Sequence, residues 1–359
     1  MNLPTNLKKI AEKVRLAERI SEYEATVLFY EAPLSLLSLL ANQIKERRYG
    51  ALITFIVDRN INYTNICEVR CRFCAFSRNE DDPDAYVLTE VEVLEKVREA
   101  ADLGATQVML QGGLYRKTDL NYILRIFRLI KESFPEVTIH SLTATEVDYF
   151  AKLHGLSYKD VLSKLRKAGL NSLPGGGAEI LVDRVRKIIS PKKISSSKWL
   201  EIHRTAHQLG IFSTATMVIG HREAYEDRVN HLKKIRKLQD ETGGFISFIP
   251  WIYHPGHTQL GGQKTTAADY LRTLAISRIY LDNIPHVQAS WLTVGKKTAQ
   301  IALEFGADDL GSIMLEENVV SSTGHQAVRM AVDEMIALIR SAGKLPAQRL
   351  TDFTVIKTF

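Results

Sequence analysis

The sequence predicts an α/β protein, a (βα)8 barrel of the TIM type with helical extensions at both ends. Three observations predict it. Short β-branched runs alternate with amphipathic segments eight times over roughly 260 residues, and about 250 residues is typical of such a barrel. Polar or glycine-rich clusters follow the runs, where barrels place their chemistry. Apolar content of 45% and charge of 25% are ordinary globular values that support a large core. An open doubly wound sheet is the competing layout.

Residues 1–50 are predicted helical, with Leu36, Leu37, Leu39 and Leu40 at helical spacing before "KERRYG" ends the segment at Gly50. Predicted strands are "INYTNI" (61–66), "QVMLQ" (107–111), "VTIHSL" (137–142), "NSLP" (171–174), "FSTATMVIG" (212–220), "FISFIP" (245–250), "VQASWL" (287–292) and "DLGSIM" (309–314). Thr89 with Glu92, and Ser157 with Asp160, read as helix starts. Gly169, Gly210 and Gly343 read as stops. Val328, Val332, Met335 and Ile339 share one helical face near the end. The domains expected are a helical extension over 1–50, a barrel over 51–325 and a helical segment over 326–359.

The formal charge of +6 is modest, and basic residues stand beside acidic ones. No basic run is interleaved with aromatics, so nucleic acid is not an expected partner. The N-terminus has no apolar run of the secretory kind, and "PLSLLSLLAN" is too short to span a bilayer. A soluble cytoplasmic protein without membrane contact is expected.

All three cysteines lie in "CEVRCRFC", as Cys67, Cys71 and Cys74. They are too few and too close for a disulfide framework. Dispersed core thiols would not cluster. A zinc site wants a fourth ligand, and no histidine lies between residues 50 and 139. A reactive thiol pair of the thioredoxin type lacks its surrounding pattern. Against these stands the functional reading, a [4Fe–4S] cluster on three thiolates, whose fourth iron is open to an amino acid chelate such as that of S-adenosylmethionine (SAM).

The C-x3-C-x2-C spacing, with Phe73 before the last cysteine, resembles the radical SAM signature. "DRNINYTNIC", "CRFCAFSR", "LPGGGAEIL", "EIHRTAHQLGI", "TATMVIGH", "LQDETGGF", "FIPW", "LDNIPHVQASW" and "EENVV" resemble the menaquinone-forming futalosine pathway, closest to the cyclic dehypoxanthinyl futalosine synthase family. Aminofutalosine synthases and deazaflavin-assembly enzymes share much of this pattern. The resemblance implies that a 5′-deoxyadenosyl radical takes a hydrogen from the substrate ribose, and that the carbon radical closes on the attached benzoate. It also implies a reducing partner such as flavodoxin or ferredoxin. A structural zinc or nucleic-acid-binding module is the reading of another class. Two stretches depart from the pattern, "HPGH" (254–257) and "SSTGH" (321–325).

Further candidates sit at strand ends. Gln111, Gly112 and Gly113 can offer backbone to the methionine ammonium, although the superfamily more often has an acid after the glycines. Gly175–Gly177 lacks the spacing of a phosphate loop. Glu179 can bind the ammonium or the adenosyl ribose, and Arg204 the methionine carboxylate. His203 and His207 lack the HExxH pattern of a metal pair. His221 and Glu317 are candidate proton acceptors. Thr214 and Thr216 share one strand face. Trp251 and Trp291 can wall an aromatic substrate, and Asn318 can hold ribose hydroxyls.

Overall fold

The computed structural model describes residues 3–325 and 329–359. Three helices come first: α1 (Thr5–Arg15), α2 (Glu22–Glu31) and α3 (Leu34–Tyr49). Ser21 and Glu24 form a reciprocal cap on α2. Leu36, Leu37 and Leu40 of α3 are buried, whereas Leu39 is 44% exposed and faces away from the core.

The barrel follows. Its first stave is β1 (Leu52–Ile56) and β2 (Asp58–Asn62), one chain direction interrupted only at Val57. The others are β3 (Gln107–Gln111), β4 (Thr138–His140), β5 (Leu170–Leu173), β6 (Phe212–Ile219), β7 (Phe245–Ile252), β8 (His286–Val287) and β9 (Asp309–Ser312). Strands β2 to β8 form one parallel sheet in chain order. Strand β9 closes the ring. Ala289 N–H donates to Asp309 O at 2.9 Å on one side, and Ile313 N–H to Ile56 O at 3.1 Å on the other. Counting β1 and β2 as one stave gives the eight expected.

The register of "QVMLQ" is as predicted. The first stave begins earlier than predicted, at Leu52, and "INYTNI" covers only its end. The predicted seventh strand is short, because Trp291–Val294 turns into helix α12.

Outer helices cover the staves: α4 (Glu90–Asp102), α5 (Leu120–Ser133), α6 (Ala144–His154), α7 (Tyr158–Ala168), α8 (Asp183–Ile189), α9 (Ser196–Gln208), α10 (Tyr225–Thr242), α11 (Ala267–Tyr280) and α13 (Lys296–Ala302). Thr89 and Glu92 cap α4 reciprocally, and the Ser157 hydroxyl accepts the Asp160 N–H on α7. Val93, Val97 and Ala100 put one face of α4 in the core. Each buried valine of this kind contributes roughly 1.5–3 kcal/mol. Among the described residues no helix is long and apolar enough to cross a membrane.

The C-terminal segment is not purely helical. Helix α14 (Val332–Ser341) buries Met335 and Ile339, while Val328 lies outside the described residues. Two strands follow, β10 (Leu345–Arg349) and β11 (Val355–Thr358). Strand β10 runs parallel to β1, with Thr54 opposite Ala347, and β11 pairs antiparallel to β10. Strand β1 has an edge that β3 does not reach, and the tail satisfies its backbone groups. The turn after β10 thereby reaches the N-terminal end of the barrel.

Candidate active site

One cavity of about 420 Å³ runs through the barrel. Cys67, Cys71 and Cys74 line its mouth, at the C-terminal ends of the strands, and Arg349, Thr351 and Phe353 line its other end. The loop after β2 carries the thiols and is anchored by backbone bonds. Cys67 N–H donates to Arg78 O at 3.1 Å, Glu68 N–H to Leu114 O at 2.9 Å, and Arg72 N–H to Ile189 O at 2.9 Å. Arg78 ties the loop's end, donating to the carbonyls of Ala75, Phe76 and Ser77 and pairing with Asp84 at 2.8 Å. Arg70 takes a left-handed φ of 49° inside this loop.

Burial pushes the Cys71 thiol up to about 12 and raises that of Cys74, against the N–H groups of Phe76 and Ser77. Thiols raised in this way are poor free nucleophiles, and a bound cationic centre is what would make them thiolates. Among the described residues no three His, Cys, Asp or Glu side chains converge closely enough for a single metal ion. Among the described residues there is therefore no closed zinc tetrahedron. A cubane takes one ligand at each of several iron corners, so thiols spread around one cavity mouth fit it.

The "QGG" end of β3 crosses directly over the loop. A Cβ on Gly113 would fall on the Ile66 carbonyl, so only glycine permits this approach. A buried acid stands beside these glycines, although none follows them in sequence. Glu146, on α6, accepts the Gly112 N–H at 3.1 Å and the Tyr63 hydroxyl at 2.7 Å. Burial raises its carboxyl despite these bonds. Glu146 lines the cavity and also caps α6. That cap, Thr143 followed by Glu146, was its visible sequence signal.

Glu179 lies in the wall, 6% exposed, with a left-handed φ of 42°. Its Oε1 accepts from Lys193 Nζ at 2.7 Å, and Arg186 stands 3.6 Å from Oε2. That Oε2 has no hydrogen-bond partner among the described residues. Burial opposes the charge on Lys193, but Glu179 and Cys71 overcome it and raise the ammonium above its usual value. Lys193 also stands over the Phe73 ring, 5.4 Å from its centroid. Nothing in the local sequence distinguishes Lys193 from its exposed neighbour Lys192.

The cavity brings together most of the expected residues: the three cysteines, Phe73, Gln111, Gly112, Gly113, Glu179, Thr214, Thr216, Trp251 and Trp291. Thr214 and Thr216 do share a face, and both hydroxyls are engaged by Gly175 at 2.9 and 2.7 Å. Trp291 Nε1 donates to Ser312 O at 2.8 Å, whereas Trp251 Nε1 has no partner among the described residues.

Four expectations are corrected. Arg204 stands on the outer face of α9, 39% exposed and paired with Glu241 at 2.8 Å, so it does not reach the cavity. His221 is packed beside Glu223 at 3.0 Å and accepts the Arg222 N–H; it is not in the cavity wall. Glu317 caps the 3-10 turn Ser321–Thr323, accepting the N–H groups of Val320 and Ser321. Asn318 is one step back from the wall, donating to Asn62 Oδ1 at 3.3 Å. Both follow β9 by a loop rather than ending it. His203, buried, and His207, half-buried, pack around Ser213 and Phe245.

The two unusual stretches meet each other. The His254 and His325 rings lie 4.3 Å apart, and His257 Nδ1 is 3.1 Å from Ser322 O. Gly256 lies against the Thr323 carbonyl so closely that a Cβ would not fit.

Comparison with known proteins decides the family. Residues 61–235 match the Radical SAM superfamily, and residues 242–358 match the CofH/MqnC C-terminal region. The cyclic dehypoxanthine futalosine synthase of Streptomyces coelicolor is 44% identical over 98% of this chain and 90% of its own length. The chain belongs to the radical SAM superfamily.

The aminodeoxyfutalosine synthase of Thermus thermophilus is 41% identical over 95% of this chain and 93% of its own. In three dimensions the FeFe-hydrogenase maturase HydG from Carboxydothermus hydrogenoformans superposes with a TM-score of 0.76 at 18% identity. That match covers 97% of this chain and 80% of that one, and it supports the barrel fold. As a radical SAM enzyme the protein uses a [4Fe–4S] cluster and SAM. The residues present suit them: three thiols at the mouth, the Gly112–Gly113 backbone beside them, and the Glu179 carboxylate paired with the Lys193 cation.

Proposed function

We propose that this enzyme is a radical SAM cyclase of the futalosine pathway of menaquinone formation, converting dehypoxanthine futalosine to its cyclic product. The full-length similarity to the Streptomyces coelicolor cyclase carries the reading. When bound, the cluster and SAM would supply one-electron chemistry able to take a hydrogen atom from the substrate ribose.

The chain's own residues have separate tasks. Cys67, Cys71 and Cys74 would hold the cluster. Phe73 packs at the mouth, and the Gln111–Gly113 backbone, Glu146, Glu179 and Lys193 would hold the polar end of SAM. Trp251 and Trp291 wall the substrate and exclude water from the radical. A small reducing protein such as flavodoxin or ferredoxin would deliver the electron, and a cytoplasmic location fits the clustered reduced thiols.

Similarity to the Thermus thermophilus enzyme supports a second reading, aminodeoxyfutalosine synthase. Product analysis separates the two. Anaerobically reconstituted enzyme is given dehypoxanthine futalosine, SAM and reductant. The cyclase yields a product two hydrogens lighter together with 5′-deoxyadenosine. Inertness toward that compound, with addition to an enolpyruvyl benzoate, would select the sister reaction.

A further inference from the structure

The outer rim around the thiols is divided in charge. On one side the cysteine loop meets acids. Glu68 is exposed beside Tyr149, and Glu80, Asp81, Asp82 and Asp84 follow the loop. Cations on that side are matched. Lys117 pairs with Glu80, Arg78 pairs with Asp84, and Arg70 donates to Asn79, which itself donates to Asp82. On the other side, three segments that follow strand ends converge on Arg72, one residue after Cys71. Arg72 N–H donates to Ile189 O at the end of α8, and Leu260 N–H, in the loop after β7, donates to Arg72 O at 2.8 Å. Arg222, after β6, reaches that same loop from Nη2 to Leu260 O at 3.1 Å. A Cβ on Gly220 would meet Thr265, so the chain at Lys264 passes the end of β6.

Arg72, Lys187, Lys192, Arg222 and Lys264 are all exposed on this side, and none forms an ion pair among the described residues. The acids of the same segments are turned to other partners. Glu179 is buried against Lys193, Glu223 is buried against Arg228, and Asp227 pairs with Arg184. Asp183 accepts the Ser196 N–H, and Glu226 accepts the Tyr30 hydroxyl. Ile188, 39% exposed, stands between Lys187 and Lys192 in the chain. An apolar centre ringed by charge is the anatomy of a protein interface. None of the five cations lines the cavity, so they do not serve a ligand inside it. Unmatched surface cations attract an anionic partner and speed its encounter.

The functional reading above, on which this inference rests, calls for an electron from a small reducing protein. We propose that the basic half of the rim is the docking face for that protein, and that its occupant is an acidic one-electron carrier. The carrier's carboxylates lie against Lys187, Lys192, Arg222 and Lys264. Ile188 sits near the centre of the contact, and Arg72 is the cation nearest the thiol loop in the chain. The reduced carrier gives up one electron and the oxidised cluster takes it; no atom or proton is transferred. The acidic half of the rim repels the same carrier and so fixes the side on which it lands.

The test uses full-length reconstituted enzyme and a purified flavodoxin of strongly negative net charge. The variants are Lys187→Glu with Lys192→Glu, and Lys264→Glu alone. Lys8→Glu with Lys9→Glu, exposed on α1, makes the same change in net charge away from the rim. Calorimetric titration should show the Lys187/Lys192 variant binding flavodoxin roughly tenfold more weakly at low salt, with a flatter salt dependence, and Lys264→Glu losing less. The α1 variant should bind as wild type does. SAM cleavage to 5′-deoxyadenosine, read without substrate, should slow in the rim variants with flavodoxin as donor and keep the wild-type rate with dithionite. Unchanged flavodoxin binding in the Lys187/Lys192 variant, an equal loss in the α1 variant, or a matching loss of rate with dithionite would overturn the assignment. So would single-stranded RNA that binds wild type as tightly as flavodoxin and is lost in the same variants. If wild type does not turn over dehypoxanthine futalosine, the cyclase reading fails by itself, and the binding titration still judges the rim.

Discussion

The two ends of the barrel cavity are held by different bonds. At the mouth, backbone amides together with the Arg78 side chain fix the cysteine loop, and the three thiols form no disulfide. At the floor, side chains fix one another through the Arg349–Asp309 pair, the Asp58–Gln107 bond and the His286–Phe353–Arg349 stack. The difference teaches where substitution acts. The three cysteines can be changed with little damage to the fold, because their loop is held by main-chain bonds and by Arg78 rather than by the thiols. Floor side chains are the scaffold.

The sharpest contrast comes from the thiols. Changing any one of Cys67, Cys71 or Cys74 to Ala should abolish 5′-deoxyadenosine formation and cut iron content, while far-ultraviolet circular dichroism remains that of the wild type. Robust SAM cleavage by such a variant would remove the basis for the mouth's assignment. Gly113→Ala is next, because here the mouth's main chain is itself the target. The added methyl must displace the Ile66 carbonyl, at a cost of roughly 1–3 kcal/mol. Chemical denaturation should show that loss together with poor cluster incorporation.

Lys193→Met probes a mouth side chain that is structurally committed. Its loss leaves Glu179 buried with only Arg186 nearby, so about 3 kcal/mol of stability should disappear and the KM for SAM should rise. A SAM KM equal to wild type would restrict Lys193 to a structural role.

Acid should unfold the barrel interior through its histidines. Burial lowers His140 and His231 to about 3, and His207 and His254 to about 4, from 6.5. The unfolded chain takes up protons first as pH falls. This contribution is complete above about pH 6.5 and is lost toward pH 3–4, by roughly 1.4 kcal/mol per pH unit for each histidine still neutral in the fold. Denaturant midpoints at pH 7 and pH 5 measure it; equal midpoints would contradict the assigned neutral state.

The smallest effect should come from Arg204→Ala. An exposed pair with Glu241 contributes at most about 1 kcal/mol, and the KM for SAM should equal that of wild type.

Local patterns made the cluster loop and most staves legible. Cys67, Cys71 and Cys74 lie within eight residues, and "QVMLQ" and "FSTATMVIG" have β-branched, apolar strand composition between clear helices. The misreadings share a cause. Arg204 and His221 stand in stretches that resemble the family, but sequence does not say which side of a helix or loop faces the cavity. Glu146 and Lys193 reach the site from segments distant in the chain. The tail was illegible for a related reason: "LPAQR" has no alternation of its own and becomes a strand because the edge of β1 is there to receive it.

The contact between "HPGH" and "SSTGH" bears on how this lineage diverged. Since Gly256 admits no side chain against Thr323 and the His254 and His325 rings touch, neither stretch could drift independently of the other. Replacing one with the counterpart from a relative would join mismatched halves, so a chimera should exchange both together, and their histories of change should be correlated.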